Sequence, residues 1–314
     1  ILGWQVVTKK GEFQEGSYCI YVTVDSILED CPQYEFLRNK HFRIKTIKLR
    51  GYLSQGIAFP VSLLKSFGHD MIPLDDSVEG TDVSHLIRCK HYEKPVPATL
   101  AGQVKGYRPS FIKKTDEDNI KSNPGILEEL HDKPYVITIK VDGSSGTFFR
   151  LIDNTFGVCS RNLELKIDEN NAFWKVARKY NIEKNLKQYF PDRNIALQGE
   201  VYGPGIQDNL LGVKEVSFAA FNLFDIDTQE YLGHEELINF CFQQSIPMVE
   251  VLEVGQNFNY TLQELQTRAN ELCYKNGNLA EGIVIRPIYE TYSQTLKGRL
   301  SGKIVSEAFE LKHG

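Results

Sequence analysis

The sequence lacks the features that mark membrane, secreted and zinc-binding proteins. Its 314 residues contain no apolar run that could span a bilayer and no signal-peptide pattern, so we expect no membrane association. The six cysteines are scattered and never spaced C-x-x-C, which argues against a zinc site or a disulfide framework. We therefore expect an intracellular protein, cytoplasmic or nuclear, with one large or two ordinary domains.

Acidic residues are missing from one long stretch of a chain whose net charge is −5. No aspartate or glutamate occurs between Leu37 and His69. A segregated basic stretch is what binding to a phosphate backbone needs, and the alternative is a solvated strand face. The predicted nucleic-acid-binding residues are Arg38, Lys40, Arg43, Lys45, Lys48 and Arg50.

Short strands with turns are predicted in the first part of the chain, and a mixed α and β pattern follows. Residues 1–95 suit a small barrel, with a bulge near Thr46 where the apolar alternation changes phase. Prolines predict a linker over 96–109. Beyond it, apolar periodicity predicts strands at 135–140, 147–152, 195–202, 216–223 and 281–286, and helices over 169–190 and 261–275, the latter capped by Thr261.

Five motifs in this second part combine lysine, glutamate and aromatic residues. They are Lys140-Val141-Asp142-Gly143, Gly199-Glu200-Val201-Tyr202-Gly203, Phe218-Ala219-Ala220-Phe221, Glu281-Gly282-Ile283-Val284-Ile285-Arg286 and Lys303. A lysine that attacks the α-phosphorus of a nucleoside triphosphate must lose its proton, so its pKa has to fall from about 10.4. Cations then neutralise developing phosphate charge, carboxylates suit Mg²⁺ and ribose hydroxyls, and aromatic rings stack on the base. Each motif alone has an ordinary structural explanation, but their joint order indicates nucleotide transfer to a lysine.

The motif set resembles the covalent nucleotidyltransferase superfamily of RNA ligases, DNA ligases and capping enzymes. The residues at 140–145, 199–207 and 301–309 resemble ATP-dependent, nick-sealing RNA ligases, especially the fifth RNA ligase family. That family carries an OB domain N-terminal to its catalytic domain, and residues 42–51 are similar to this extra domain. The resemblance implies an α+β fold. It comprises an OB-like β-barrel over 1–95, the linker over 96–109, and an ATP-grasp-like mixed α/β nucleotidyltransferase domain with antiparallel sheets over 110–314.

The resemblance also implies catalytic roles. Lys140 is the nucleophile that forms lysyl-AMP, and Asp142 with Gly143 shapes the turn that presents it. Glu281 binds the metal ion, Mg²⁺ or Mn²⁺, or orients Lys140. Lys303 contacts the α-phosphate and helps to expel pyrophosphate.

The remaining implied roles concern ATP. Glu200 contacts the ribose and serves with Glu281 as a metal ligand. Phe218 stacks on adenine, with Phe221 behind it in the core. Arg161 contacts a phosphate or the ribose. The implied partner is a nicked RNA-containing duplex, and we expect a monomer.

Two positions depart from the family pattern. Related enzymes often have Lys-x-Lys in the last motif, whereas Val305 follows Lys303 here. Candidates for the second phosphate contact are Lys297, Arg299 and Lys312. Asn119 stands where a related segment usually carries an arginine, which bears on recruitment of the triphosphate.

Three functions compete at this point. The first is an ATP-dependent RNA ligase that joins a 3′-OH to a 5′-phosphate. The second is a DNA ligase or a GTP-dependent capping enzyme, which usually has its OB domain after the catalytic domain, whereas little sequence follows Lys303 here. The third is a non-catalytic OB protein, and the retained Lys140, Glu200 and Glu281 argue against it.

Overall fold

Backbone contacts divide the chain into two units. The computed structural model describes residues 1–69, 78–92 and 102–313. The first unit comprises Ile1–Pro95 and Glu310–Gly314, and the second comprises Val96–Phe309. All six cysteines are free thiols. Across the described parts of the chain, no helix has both the length and the apolar character needed to cross a membrane.

Short strands and short helices build the first unit. Its elements are β1 (Cys19–Val22), β2 (Ser26–Leu28), a 3₁₀ helix (Pro32–Lys40), β3 (Thr46–Leu49), β4 (Tyr52–Gln55), β5 (Ile57–Pro60), α1 (Leu63–Ser66) and β6 (Cys89–His91). The strands form three antiparallel pairs, β1 with β5, β2 with β6 and β3 with β4. The predicted antiparallel β-rich N-terminal unit is present, and in the described residues its strand pairs do not close into a barrel.

The β3–β4 hairpin, residues 46–55, differs from the strand that the apolar alternation predicted. Thr46 is buried, but Ile47 and Leu49 are 39% and 41% exposed. The two strands pair from Thr46↔Gln55 to Leu49↔Tyr52 without a register shift, so the predicted bulge near Thr46 is wrong. The two-residue turn of the hairpin, Arg50 and Gly51, has positive φ at both positions, which suits a tight antiparallel hairpin.

Two larger sheets form the second unit. The strands are β7 (Val104–Tyr107), β8 (Asp118–Asn119), β9 (Tyr135–Lys140), β10 (Ser144–Arg150), β11 (Phe156–Cys159), β12 (Leu163–Leu165), β13 (Ile195–Tyr202), β14 (Ser217–Asp225), β15 (Glu230–Tyr231), β16 (Val251–Gly255), β17 (Gly282–Pro287), β18 (Tyr292–Ser293), β19 (Gly298–Arg299) and β20 (Gly302–Val305). One sheet has the order β15-β14-β13-β10-β11-β12-β7, and the other has the order β16-β9-β17-β20-β8. All neighbours in them are antiparallel, as predicted, except the parallel pair β20–β8.

Six further helices lie beyond residue 124, and the last of them runs from the second unit into the first. They are α2 (Gly125–Leu130), α3 (Ala172–Lys179), α4 (Ile182–Tyr189), α5 (His234–Gln243), α6 (Leu262–Glu271) and α7 (Glu307–His313). One core lies between the seven-stranded sheet and α3, α4 and α5, and a second lies between the five-stranded sheet, α2 and α6. A third cluster contains Ile139 and Val141 together with Ala219 of β14, so it joins the end of β9 to the other sheet.

The predicted elements are present, with differences at their ends. All five predicted strands correspond to strands of the two sheets, and those at 135–140 and 195–202 have the predicted bounds. The predicted helix over 169–190 is two helices, because Asn181 has φ +48 and interrupts the helical backbone. Thr261 caps α6 as predicted. Residues 96–101 of the predicted linker lie outside the described residues, and β7 in its second half pairs with β12 of the sheet.

Candidate active site

Lys140 and Glu281 meet because two antiparallel strands place them at the same end of the five-stranded sheet. Lys140 is the last residue of β9 and pairs with Gly282, the first residue of β17. The Nζ atom of Lys140 lies 2.8 Å from Oε1 of Glu281. Local pairing in the sheet therefore brings together the first and fourth motifs, which are far apart in the sequence.

Glu200 adds a second carboxylate on the neighbouring sheet. Burial raises the pKa of Glu200 to about 8, and the charges of Glu281 and Asp142 contribute while Lys140 opposes them. Burial by itself would lower the pKa of Lys140, but Glu281 and Glu200 outweigh it and raise the pKa above its usual value. The lysine is thus held as an ammonium, whereas a nucleophile needs a lowered pKa. A cation bound at these carboxylates would lower the pKa of Lys140, as the reaction requires.

Lys303 lies on β20, the next strand of the same sheet. It pairs with Val284 of β17, and burial lowers the pKa of Lys303 while the charge of Lys140 lowers it further. Lys140, Glu200, Glu281 and Lys303 therefore form one electrostatically coupled group, which we call the lysine–carboxylate cluster. No hydrogen bond or close ion pair joins Glu200 or Lys303 to another side chain in the described residues.

A tyrosine that sequence reasoning missed holds the turn after Lys140. The hydroxyl of Tyr274 accepts from the backbone N–H of Asp142 at 2.9 Å and donates to the carbonyl oxygen of Lys140 at 3.2 Å. Gly143 allows this turn to approach β13, because a Cβ there would lie 2.5 Å from the carbonyl oxygen of Val201. Tyr274 lies outside the five motifs, so no sequence signal identified it.

The two phenylalanines of β14 are placed in the reverse of the predicted order. Phe218 is fully buried, and its ring packs edge-on against Phe148 with centroids 5.2 Å apart. Phe221 is only partly buried and packs with Ala219 in the cluster that joins the two sheets. The prediction that Phe218 stacks on the base is therefore wrong in this structure, since its ring is part of the core. Phe221 is the ring on the side of the site.

Arg161 lies in the turn between β11 and β12. Its guanidinium is 2.8 Å from Asp116, both side chains are about half exposed, and the charge of Arg161 also acts on Glu200. The structure thus places Arg161 near the cluster, paired with a carboxylate. Its predicted contact with a phosphate or the ribose stays a prediction.

A second charged group, which we call the arginine network, connects β14, β17 and β19. Arg286 forms an ion pair with Glu117, and its guanidinium donates to the carbonyl oxygen of Phe221 at 3.0 Å and to Asn222 Oδ1 at 2.9 Å. Arg299 donates to the same Asn222 oxygen at 2.7 Å. Arg299 also pairs with Glu290. The arginine network thus has five charged or polar side chains: Glu117, Asn222, Arg286, Glu290 and Arg299. Sequence reasoning quoted Arg286 only as the end of the fourth motif.

The structure shows where the two residues that depart from the family pattern lie. Asn119 pairs with Lys303 in the parallel β8–β20 ladder, and its Oδ1 accepts from the backbone N–H of Lys121 at 3.0 Å. Val305 is buried on β20 opposite Gly282. Of the proposed substitutes for a second lysine, Arg299 is engaged with Glu290, Lys297 is exposed, and Lys312 belongs to the first unit.

The predicted nucleic-acid-binding residues fall into two groups. Arg38 pairs with Asp30 at 2.8 Å and with Glu35 at 2.7 Å, and Arg43 pairs with Asp25 at 3.0 Å. The other four basic residues lie exposed: they are Lys40, Lys45, Lys48 and Arg50.

The carboxylates of the cluster suit a hard divalent cation. Within the ranges that the structure describes, no group of three or more His, Cys, Asp or Glu side chains could hold a metal ion alone. Mg²⁺ is usually bound through one or two carboxylates, with waters and substrate phosphates supplying the other ligands. Glu200 and Glu281 fit that pattern. Burial and the charge of Glu281 raise the pKa of Glu200, so a cation bound between the two carboxylates would offset their negative charge.

Comparisons with known proteins identify similar families and structures. The family model described as RNA ligase matches residues 133–305, and an OB-fold domain model matches residues 1–61. Comparison with curated protein sequences gives no significant match.

Solved structures of an RNA ligase from Naegleria gruberi are similar over almost the whole chain. A variant with ATP and Mn is 32% identical, with a TM-score of 0.83, over 99% of this chain and 92% of that one. The structure with pyrophosphate is 33% identical, with a TM-score of 0.81, over 99% and 91%. The match spans both the catalytic motifs and the N-terminal OB-fold domain. The chain therefore belongs to the RNA ligase family of the nucleotidyltransferase superfamily.

Proposed function

We propose that this protein is an ATP-dependent RNA ligase that seals nicks in RNA-containing duplexes during RNA repair. The observation that carries the proposal is the lysine–carboxylate cluster, in which Lys140 lies 2.8 Å from Glu281. The charge of Glu200 helps to raise the pKa of Lys140, and the charge of Lys140 helps to lower the pKa of Lys303. The similar Naegleria gruberi structures contain ATP, AMP, pyrophosphate or Mn.

The proposed reaction has three transfers. The amine of Lys140 loses a proton and attacks the α-phosphorus of ATP, so that a P–N bond forms, the α–β phosphate bond breaks and pyrophosphate leaves. The 5′-phosphate at the nick then attacks the same phosphorus and displaces the lysine. Finally the 3′-OH loses its proton, attacks the 5′-phosphate and displaces AMP.

The residues of the site have distinct proposed roles. Lys303 faces the α-phosphate charge, and Arg161 contacts a phosphate or the ribose. Phe221 stacks on adenine in place of Phe218. Glu200 contacts the ribose, and Tyr274 fixes the turn that presents the nucleophile through its two backbone hydrogen bonds.

Glu200 and Glu281 would hold Mg²⁺ or Mn²⁺. The ion supplies positive charge that offsets the two carboxylates and the triphosphate, which favours loss of the proton from Lys140. This role agrees with the raised pKa of Lys140 beside the two carboxylates.

The experiment is incubation of the protein with α-labelled ATP or GTP and Mg²⁺ or Mn²⁺, followed by denaturation. We expect label from ATP to stay on the protein, and Lys140→Ala to remove it. Lys175→Ala, an exposed lysine on α3, is the matched control and should label normally. Labelling of the Lys140→Ala protein would refute the nucleophile, and labelling from GTP alone would indicate a capping enzyme.

The remaining parts of the proposal concern substrate and assembly. We propose that the protein acts as a monomer in the cytoplasm or nucleus, where free thiols such as its six cysteines persist. Sealing of a nicked duplex with 3′-OH and 5′-phosphate ends, compared with the same ends on single strands, tests the choice of substrate. Equal rates on both would contradict nick sealing.

A further inference from the structure

The exposed end of the β3–β4 hairpin carries aromatic, apolar and basic side chains, with Tyr52, Ile47 and Leu49 on one face and Lys48 on the other. Tyr52 is 73% exposed, and Ile47 and Leu49 of the facing strand are also exposed. Lys48 and Arg50 are exposed, and neither has an ion-pair partner among the residues that the structure describes. Contiguous exposed apolar side chains, unlike single ones, mark interaction surfaces.

The hairpin differs in this respect from the rest of the basic stretch. Arg38 and Arg43 are committed to carboxylates, and Arg43 also lies over the ring of Tyr92 with its Cζ atom 4.0 Å from the ring centroid. These two arginines are therefore paired with carboxylates of the first unit, unlike Lys48 and Arg50, which have no such partner in the described residues. The acid-free sequence predicted a uniform basic surface, whereas in the structure Arg38 and Arg43 are paired and Lys40, Lys48 and Arg50 are exposed.

The base of the hairpin is fixed by a residue from the far end of the chain. Thr46 and Gln55 form the last pair of the β3–β4 ladder. Oε2 of Glu310 accepts from Gln55 Nε2 at 2.6 Å and from Thr46 Oγ1 at 3.1 Å, and Glu310 is largely buried. The hydroxyl of Tyr21 donates to the carbonyl oxygen of Gln55 at 2.5 Å. The exposed end of the hairpin therefore projects from a rigid, fully hydrogen-bonded base.

We propose that the β3–β4 hairpin is the element of the first unit that binds the RNA-containing duplex, and that Glu310 is the positioning residue that holds it for this contact. Lys48 and Arg50 contact phosphates, and Tyr52 packs against sugars in the shallow groove of an A-form helix. The proposal rests on the proposed ligase function. Complementary charge and membership of the RNA ligase family favour a nucleic acid over an anionic lipid surface.

The first test measures affinity for a nicked RNA duplex at several salt concentrations by fluorescence anisotropy, using the full chain. Tyr52→Ala should weaken binding about tenfold without changing the salt slope, since it removes an uncharged contact. The double variant Lys48→Ala/Arg50→Ala should weaken binding and reduce the slope by about 0.9 for each lost phosphate contact. Tyr107→Ala removes a tyrosine of the second unit that is 86% exposed, and it should bind normally.

The second test concerns Glu310. Glu310→Ala should weaken duplex binding about as much as Tyr52→Ala, whereas Glu310→Gln retains an acceptor oxygen and should restore most of the affinity. All hairpin and Glu310 variants should form lysyl-AMP at the wild-type rate, because they lie outside the catalytic cluster. Normal binding by Glu310→Ala would overturn the anchoring role.

The two proposals fail in different ways. Unchanged affinity and slope in the Tyr52 and Lys48/Arg50 variants would overturn the hairpin as a duplex contact, while lysyl-AMP formation would leave the ligase proposal intact. Absence of lysyl-AMP in the wild-type protein would overturn the ligase proposal, while the binding series still decides the hairpin. Binding to phosphatidylserine vesicles that is lost in the same variants, without duplex binding, would assign the hairpin to a lipid surface.

Discussion

The lysine–carboxylate cluster and the arginine network both bury carboxylates beside cations, but the carboxylate pKa is raised in the cluster and lowered in the network. In the network, burial alone would raise the pKa of Glu117, but Arg286 and Arg299 outweigh it and hold that pKa below its usual value. In the cluster, the pKa of Glu200 is raised and that of Lys303 is lowered, so both groups are pushed toward their neutral forms. Charges satisfied by hydrogen bonds stabilise the fold, whereas unsatisfied buried charges mark a site prepared for a ligand.

The largest expected effect follows from replacing Lys140, the proposed nucleophile, without removing its charge. Lys140→Arg should keep an ion pair with Glu281 but abolish lysyl-AMP formation, because a guanidinium is not deprotonated in proteins. The unfolding temperature should stay near that of the wild-type protein. Labelling with α-labelled ATP and a melting curve on the same sample check both parts. Labelling of the Lys140→Arg variant would show that the cluster, like the arginine network, needs only a positive charge at this position.

The next prediction breaks the arginine network. Arg286→Met should destabilise the second unit by about 3–5 kcal/mol, since it leaves the Glu117 carboxylate buried without its partner. The double variant Glu117→Gln/Arg286→Met should recover most of this loss. Urea unfolding can be followed through Trp174 in a Trp4→Phe background, because the chain has two tryptophans. Equal stability of single and double variants would show that the pair does not act as a unit.

Removing the second lysine of the cluster should have a smaller effect on activity. Lys303→Ala should slow lysyl-AMP formation about 10²-fold, the scale of losing one electrostatic stabiliser of a transition state. Single-turnover labelling measures this rate. The exposed Lys297 provides the matched control, Lys297→Ala. If the control slows the reaction and Lys303→Ala does not, the α-phosphate contact belongs to Lys297.

The smallest predicted effect distinguishes the two aromatic rings of β14. Phe221→Leu should raise the KM for ATP about tenfold with little change in melting temperature, since it removes a stacking surface. Phe218→Leu should lower the melting temperature and leave the KM unchanged, because its ring is packed in the core. The reversed pattern would restore the sequence-based assignment.

The sequence predicted the site more completely than its surroundings. The order of the motifs identified Lys140, Glu281 and Lys303 at one end of the five-stranded sheet, together with Glu200 on β13 of the other sheet. The exchange of Phe218 and Phe221 could not be predicted, because alternation places the two rings on opposite faces of β14 without showing which face meets the core.

The interaction partners of individual side chains could not be predicted from the sequence either. Nothing in the composition showed that Arg38 and Arg43 are neutralised by Asp30 and Asp25, which precede the acid-free stretch in the sequence. Tyr274 and Glu117 act through hydrogen bonds and ion pairs with residues more than 100 positions away. Such contacts follow from the tertiary fold rather than from local pattern.

The carboxylate beneath the β3–β4 hairpin has a consequence for synthesis on the ribosome. The N-terminal unit emerges first, but Gln55 and Thr46 receive their acceptor only when Glu310 has been made. Because domains fold in the order in which they are synthesised, the first unit to begin folding is the last to be completed. The hairpin therefore reaches its final form only after every catalytic residue has been translated.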